Sequence, residues 1–377
     1  VLRNINFFFL QLGQCFLQGI TLLTTGGILQ YRFVGRHRIR ESSKAHKCNF
    51  ENDEFENLTM KKILQLLFEH KSLDRQQAKD VLLNIGKAMY NEHEITAFMT
   101  VYLMRSITIE ELQGFRDALL ELCVPVDLNG HAVLDIVGTG GDGKNTFNIS
   151  TLSCFIVAGA GQKVAKHGNY GASTISGSSN VMEQLGYVFK NNEDELKQEL
   201  DAANICFLHA PLFHPAMRFV GPIRKELGMK TFFNMLGPIL NPAKVQKQIT
   251  GVYNEEVLKL YGAIFEKTGK NFGVLYGLDG YDEISLTGDF VLITQKGIET
   301  ISPKQLGFSK CSPEELHGGH TVEESAKILT SVLSNEGTKA QTVTKVEAAR
   351  AEIMRMIRQM MAKGEVDYRL YEEATLG

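Results

Sequence analysis

The chain has 377 residues, a formal net charge of -3, 44% hydrophobic and 22% charged residues. That length supports a sizeable core and two domains, and the near-neutral balance gives no bulk electrostatic reason to expect a nucleic-acid partner. Its six cysteines, Cys15, Cys48, Cys123, Cys154, Cys206 and Cys311, form no Cys-x-x-Cys pair, which argues against a zinc site or a disulfide framework and suits a reducing cytoplasm.

The chain opens at Val1, and the stretch from Ile5 to Leu29 carries no charge before Arg32, Arg36, Arg38 and Arg40. It is long enough to span a bilayer. Glutamines, glycines and threonines interrupt it, and no convincing small-residue cleavage site follows. Residues 1–59 are therefore read as a non-native extension, unrelated to the domains after it, and no membrane partner is expected. An ordinary domain start comes at Met60.

Residues 60–124 read as an all-helical domain. Ile63, Leu64, Leu66, Leu67 and Phe68 suit a first amphipathic helix. Asp74 with Gln77 three residues on makes a helix entry, and Val81, Leu82, Ile85 and Met89 continue its apolar stripe. Further helices are expected over Ile95–Met104 and Ile109–Leu122, the latter capped by Thr108 with Glu111 at its third position.

Pro125 marks a boundary, and residues 125–341 read as a larger α/β domain. Short apolar runs at Val133–Val137, Val164–Ala165, Ile205–Leu208 and Gly273–Leu275 alternate with helical stretches at Thr151–Ala160, Ser179–Leu185 and Glu193–Ala203. That alternation predicts a mainly parallel central sheet, with ligands at the carboxyl ends of its strands. Residues 342–377 form a last segment in which Val346, Ala349, Ile353, Met356 and Met360 make an amphipathic helical stripe.

The glycine-rich loop Gly138–Gly143 follows the first strand, and a helix start is expected at Thr146–Thr151. Glycines allow a sharp turn and close backbone approach, and free amides at a helix start attract anions. The loop therefore reads as a phosphate or pyrophosphate cradle. Gly138, Gly140 and Gly143 fit the dinucleotide pattern, but no acid follows about 20 residues on. Gly138, Gly143 and Lys144 fit most of the P-loop pattern, but Asn145 stands where a magnesium-binding hydroxyl is needed. Asp142 would repel a bare pyrophosphate and makes sense if a divalent cation accompanies the ligand.

Other polar clusters follow. Lys166, His167, Gly168 and Asn169 come directly after a strand, and Ser173 to Asn180 offer hydroxyls and amides for a second anion site. Asp282 and Glu283 form an acidic pair that could hold magnesium. Arg224 could grip a carboxylate in a bidentate fork or pair with a neighbour such as Glu226.

Together these pieces resemble the anthranilate phosphoribosyltransferase family of tryptophan biosynthesis. The resemblance rests on Gly138–Thr151, Lys166–Asn169, Ser176–Asn180, His214–Pro242 and Asp282–Ser285, and covers about Met60 to Gln341. It implies a nucleoside phosphorylase/phosphoribosyltransferase-like fold: a small all-helical N-terminal domain plus a larger α/β domain with a mainly parallel sheet, and a segment near 215–245 that packs with the helical domain. It implies transfer of the phosphoribosyl group from phosphoribosyl pyrophosphate to anthranilate. It assigns the donor to Gly138, Thr139, Gly140, Gly141, Asp142, Gly143, Thr146, Asn148, Ser150, Thr151, Lys166 and Ser178. It assigns anthranilate to Gly138, Asn169, His214 and Arg224. Magnesium, two ions per site, would be held by Ser150, Asp282 and Glu283. His167 lines the site, and no residue is nominated as a strong general base, because an aniline nitrogen needs little deprotonation before attack. A cytoplasmic homodimer joined through the helical domain is implied.

The sequence departs from the family pattern at three places. Tyr170 stands where many relatives carry arginine, Asn180 replaces a common aspartate, and Thr342–Arg350 replaces an alanine-rich helix. Two alternatives are a pyrimidine nucleoside phosphorylase-like enzyme and a non-catalytic relative that binds nucleic acid.

Overall fold

The computed structural model describes residues 59–333, apart from 160, 172 and 173, together with a short antiparallel pair, Thr24–Thr25 with Ile28–Leu29. The expectations for the charge-free N-terminal run, that pair aside, and for residues 342–377 lie outside the described residues. The chain divides into units 1–57 and 58–377, and all that follows concerns the second.

Four helices open it: α1 (Met60–Phe68), α2 (Arg75–Gly86), α3 (Glu92–Met104) and α4 (Ile109–Leu122). The last three begin with reciprocal capping boxes, Asp74 with Gln77, Asn91 with Glu94 and Thr108 with Glu111. Each box satisfies two backbone amides that a helix start otherwise leaves unpaired. The Asn91 box starts α3 earlier than its apolar stripe suggests. α2 and α4 pack closely because Gly114 has no side chain: a Cβ there would lie 2.3 Å from the Arg75 carbonyl oxygen.

The α/β part is a seven-stranded sheet. Its strands are β1 (Leu134–Gly138), β2 (Val164–Gly168), β3 (Ile205–His209), β4 (Lys247–Gly251), β5 (Asn271–Gly277), β6 (Phe290–Thr294) and β7 (Gly297–Ile301). The spatial order is β3-β2-β1-β4-β5-β6-β7. Strands β1 to β5 are parallel and the last two turn antiparallel. The order reverses between β1 and β4, the place where open α/β sheets bind ligands. Helices α5 (Ile149–Gly159), α6 (Ser178–Gln184), α7 (Glu193–Ala203), α8 (Ala210–Phe213), α9 (Gly221–Leu227), α10 (Glu255–Glu266) and α11 (Val322–Leu333) complete it.

The sequence reading lacks β4 and the β6–β7 hairpin. In β4, Lys247 and Gln248 hide a strand that is buried at all five positions. Their polar ends are accommodated by partners distant in sequence, Lys247 Nζ donating to Gln162 Oε1 at 2.9 Å and Gln248 Nε2 to the Pro238 carbonyl.

The segment around 215–240 joins the helical core, with Ala216, Val220, Ile223, Phe232, Phe233 and Leu236 buried in one cluster with residues of α1 to α4. Phe232 stacks on Phe115 with ring centroids 4.7 Å apart.

Candidate active site

β1 and β2 pair at a single position, Leu134 with Val164, and then diverge. Side chains bridge the split. Asp135 Oδ1 accepts from the His167 amide at 3.2 Å, and Lys166 Nζ donates to the Ile136 carbonyl at 2.8 Å. Asn241 braces the same place, its Nδ2 reaching Asp135 Oδ2 at 2.8 Å and the Ala165 carbonyl at 2.9 Å. Burial raises the Asp135 carboxyl to about 6, against the pull of Lys166 and these donors. Lys166 is thus built into the sheet, 2% exposed.

The loop leaving β1 turns through left-handed backbone at Gly140, Gly141 and Gly143, with φ of 63°, 81° and 75°. At Gly138 a Cβ would lie 2.7 Å from Asp282 Oδ2. The Thr139 amide donates to the Gly251 carbonyl at 2.9 Å and the Gly140 amide to Asp282 Oδ2 at 2.9 Å. The following helix, α5, starts at Ile149, within the Thr146–Thr151 range expected from the sequence, while Thr146 itself forms an isolated bridge with His317.

The acidic pair, far along the sequence, folds onto this loop. Asp282 meets the first loop, and Glu283 Oε1 accepts from the Ser150 amide at 3.2 Å. Burial, reinforced by the Asp142 carboxylate alongside, pushes the Asp282 carboxyl well above the usual range. Asp142 Oδ1 accepts from the Lys144 amide at 3.1 Å, while its Oδ2 is buried without a partner.

The loop after β2 is tied to the first. Asn148 Nδ2 donates to the Ser176 carbonyl at 3.1 Å. Asn180 Oδ1 takes both the Gly171 and Gly177 amides, closing the neck of the second loop. Asn169 contributes its carbonyl to the Ser179 amide and, at 3.4 Å, to Ser178 Oγ. Tyr170 gives its hydroxyl to Glu183 at 2.6 Å and sets its ring edge against His209.

Beside these loops lie two buried histidines, His167 and His214, with ring centroids 5.2 Å apart. His167 Nδ1 faces the Gly237 carbonyl at 3.1 Å. A carbonyl can only accept, so the ring proton is on Nδ1 and Nε2 presents a lone pair. Burial lowers His167 to about 3 and His214 to about 4, the Leu240 carbonyl offsetting part of the latter effect. Both rings are therefore neutral near pH 7.

Arg224 is half-buried, 3.4 Å from Asn234 Oδ1 and over the Phe233 ring. It forms no ion pair with Glu226, and burial alone lowers its pKa. Among the described residues this guanidinium has no anionic partner.

Among the described residues, eight buried side-chain polar atoms have no hydrogen-bond partner. All but Arg105 Nε belong to Asp142, Thr151, His167, Ser176, His214 and Thr231, around this crevice. Buried polar groups are ordinarily paired, so the cluster marks where polar ligand atoms belong.

Residues 61–123 match the helical bundle domain of the glycosyl transferase family, and 130–366 its a/b domain. The chain is 56% identical over 282 residues to the anthranilate phosphoribosyltransferase of Flavobacterium johnsoniae, covering 75% of this chain and 86% of that protein. The chain belongs to the anthranilate phosphoribosyltransferase family. The Christiangramia forsetii enzyme of that name is 54% identical over 75% of this chain and 85% of its own length. Two solved anthranilate phosphoribosyltransferase structures share the fold. That from Thermus thermophilus has a TM-score of 0.71 at 30% identity, covering 82% of this chain and 97% of its own. That from Saccharomyces cerevisiae, in complex with PRPP and Mg, has a TM-score of 0.75 at 27% identity, covering 85% and 93%.

The acidic corner of this anthranilate phosphoribosyltransferase family member fits a hard divalent cation. Among the described residues no three His, Cys, Asp or Glu side chains converge as a ready-made metal cage. Magnesium does not require one, since it keeps several waters and binds through one or two carboxylates plus substrate phosphates. The unpartnered Asp142 oxygen and the raised Asp282 carboxyl are what crowded carboxylates show before a cation neutralises them.

Sequence reasoning missed Asp135, Asn241, Thr231 and Lys230. Lys230 donates to the Gly141 carbonyl and ties its segment to the glycine loop. Asp135, a charged residue in the middle of an apolar strand, is the one signal that pointed inward.

Proposed function

We propose that the chain transfers the phosphoribosyl group of phosphoribosyl pyrophosphate to the amino group of anthranilate, giving N-(5-phosphoribosyl)anthranilate and pyrophosphate. The observation that carries this reading is the half-buried Arg224, with no ion pair among the described residues, which reaches Asn234, whose Oδ1 also accepts from the amide of Thr231, next to the Lys230 that ties this segment to the acid-backed glycine loop. A carboxylate-bearing acceptor supplies the missing anion; a nucleoside does not.

In this reading Gly138 to Gly143, Thr146, Asn148, Ser150, Thr151 and Ser178 hold the donor. Ser150, Asp282 and Glu283 hold magnesium, two ions per site, which supplies charge neutralisation for the departing pyrophosphate. Lys166 contributes positive charge from within the sheet. Arg224 orients the acceptor carboxylate, with Gly138, Asn169 and His214 along its path.

The C1–O bond to pyrophosphate breaks as the amine nitrogen bonds to C1, which develops oxocarbenium character. The acidic proton of the resulting N-alkylanilinium then passes to the departing pyrophosphate or to water, so no strong protein base is required. The neutral His167 and His214 add no positive charge to that of Arg224 on the acceptor side. With His167 lowered to about 3, it serves as a weak hydrogen-bond acceptor and not as a strong base. Positioning and electrostatic stabilisation do the rest.

A homodimer joined through the helical bundle is part of this reading, and Phe68, Met89 and Met104 are apolar side chains that the bundle leaves exposed. The free cysteines among the described residues suit a reducing cytoplasm. Among those residues no helix is long and apolar enough to cross a membrane.

The test is direct. Protein, magnesium, phosphoribosyl pyrophosphate and anthranilate are mixed, and anthranilate fluorescence is followed. Loss of fluorescence that requires all components is expected. A folded protein that leaves anthranilate untouched but cleaves thymidine with inorganic phosphate would reverse the choice.

A further inference from the structure

Asn145, which fits neither nucleotide motif, sits in left-handed backbone with φ of 48°. Its surroundings come from a segment that has no part in the reaction described above. The Gly318 amide donates to the Asn145 carbonyl at 2.8 Å, and the Phe147 amide donates to the Leu316 carbonyl at 2.9 Å. Asn145 Nδ2 donates to the Gly319 carbonyl at 3.1 Å and lies 3.2 Å from His317 Nε2. Gly318 has no room for a side chain, since a Cβ would lie 2.5 Å from the Thr146 carbonyl oxygen. The strap is anchored on both sides. Leu316 is fully buried in the same cluster as Phe147, and Ser325 Oγ of α11 donates to the Gly318 carbonyl at 2.7 Å.

We propose that Asn145 is a positioning residue for the donor loop, held by the Leu316–Gly319 strap so that the chain between Gly143 and Asn148 is already in its binding shape. This rests on the reading of that loop as the phosphoribosyl pyrophosphate site. A loop left free would have to be ordered by the ligand, and that ordering weakens binding. Asparagine suits the position because it tolerates left-handed backbone better than most residues. Among the described residues, the hydrogen bonds that hold the strap join it to Asn145, Phe147 and Ser325 and not to Gly138, Asn169, His214 or Arg224, so it acts on the donor side.

The test compares wild type, Asn145→Ala and Asn145→Gly. Magnesium with phosphoribosyl pyrophosphate is titrated calorimetrically, KM is measured for both substrates, and each melting temperature is recorded. Alanine loses the side-chain bonds and strains the backbone, so donor affinity should fall about tenfold. The anthranilate KM should stay within twofold. Glycine restores the backbone freedom and should recover part of the loss, to about threefold below wild type. Donor binding within twofold of wild type in Asn145→Ala, or an equal rise in both KM values, overturns the proposal. If Asn145→Ala does not fold, Asn145→Gly against wild type decides by the same criterion. Wild type that binds no donor sinks the functional reading and the strap with it; a wild type that binds, beside variants that bind equally well, sinks the strap alone.

Discussion

Glu111 in the helical bundle and Asp282 at the carboxyl end of the sheet are both buried carboxylates, and their surroundings treat charge in opposite ways. Glu111 accepts from the amides of Leu73 and Thr108, the Tyr102 hydroxyl and the Arg105 guanidinium. Burial works to raise its pKa, but Arg105 and the two amides outweigh it and the carboxyl is held below the usual range. Among the described residues Asp282 has the Gly140 amide but no cationic partner, a second carboxylate lies beside it, and burial with that like charge raises its pKa. The bundle pairs its buried carboxylate internally, with Arg105 Nε its one unpartnered buried side-chain polar atom among the described residues. The crevice leaves side-chain atoms of Asp142, Thr151 and the two histidines without a protein partner, and Asp282 beside a like charge.

That contrast can be broken at its functional end first. Asp282→Asn combined with Glu283→Gln should lower magnesium-dependent turnover by about a thousandfold or more. The melting temperature should be unchanged or higher, because crowded charge has been removed. A variant that melts lower and still turns over would erase the distinction. At the structural end, Glu111→Ala strands Arg105 and should lose about 3–5 kcal/mol in urea unfolding. Turnover per folded molecule should be unaffected.

Smaller effects sharpen the picture at the sheet split. Asp135→Asn puts two amide nitrogens face to face with Asn241, and should lose about 1–3 kcal/mol of stability. Adding Asn241→Asp restores a donor–acceptor pair and should recover part of that loss, a non-additivity read from a double-mutant cycle.

The histidines give a signed pH dependence. His167, lowered to about 3 in the folded chain, contributes stability that is complete above the unfolded value and is lost as pH falls below about 6.5. Relative to His167→Gln, wild type should lose about 1.4 kcal/mol per pH unit between pH 6 and 4. Asp135, raised to about 6, acts in the opposite sense, its stability being lost as pH rises. The comparison with the variant, not the wild-type profile alone, isolates the histidine.

Legibility in the sequence follows the range of the interactions. The capping pairs Asp74–Gln77 and Thr108–Glu111 span three residues and could be read directly. The glycine loop, the acidic pair and Arg224 were legible as motifs, because their chemistry demands particular residue types. β4 was not, because Lys247 and Gln248 break the apolar pattern and find partners such as Gln162 and Pro238 only once the chain is folded. Asp135 and Asn145 were not either: the first finds His167 across 32 residues and the second finds His317 across 172. No local pattern encodes such meetings. The helix start was legible only as the range Thr146–Thr151, and its place at Ile149 goes with an isolated bridge from Thr146 to the distant His317.

The central claim is that the unpaired groups around the glycine loop are partners for a magnesium-bound phosphoribosyl pyrophosphate. Thermal melts with and without that ligand test it most directly. Ligand at a hundredfold excess over Kd adds about 2.7 kcal/mol to a protein that binds it only when folded. Wild type should therefore melt higher when magnesium and donor are both present, and not with donor alone. Asp282→Asn with Glu283→Gln should show no such gain. An equal rise in wild type and variant, or a rise that does not need magnesium, would contradict the account.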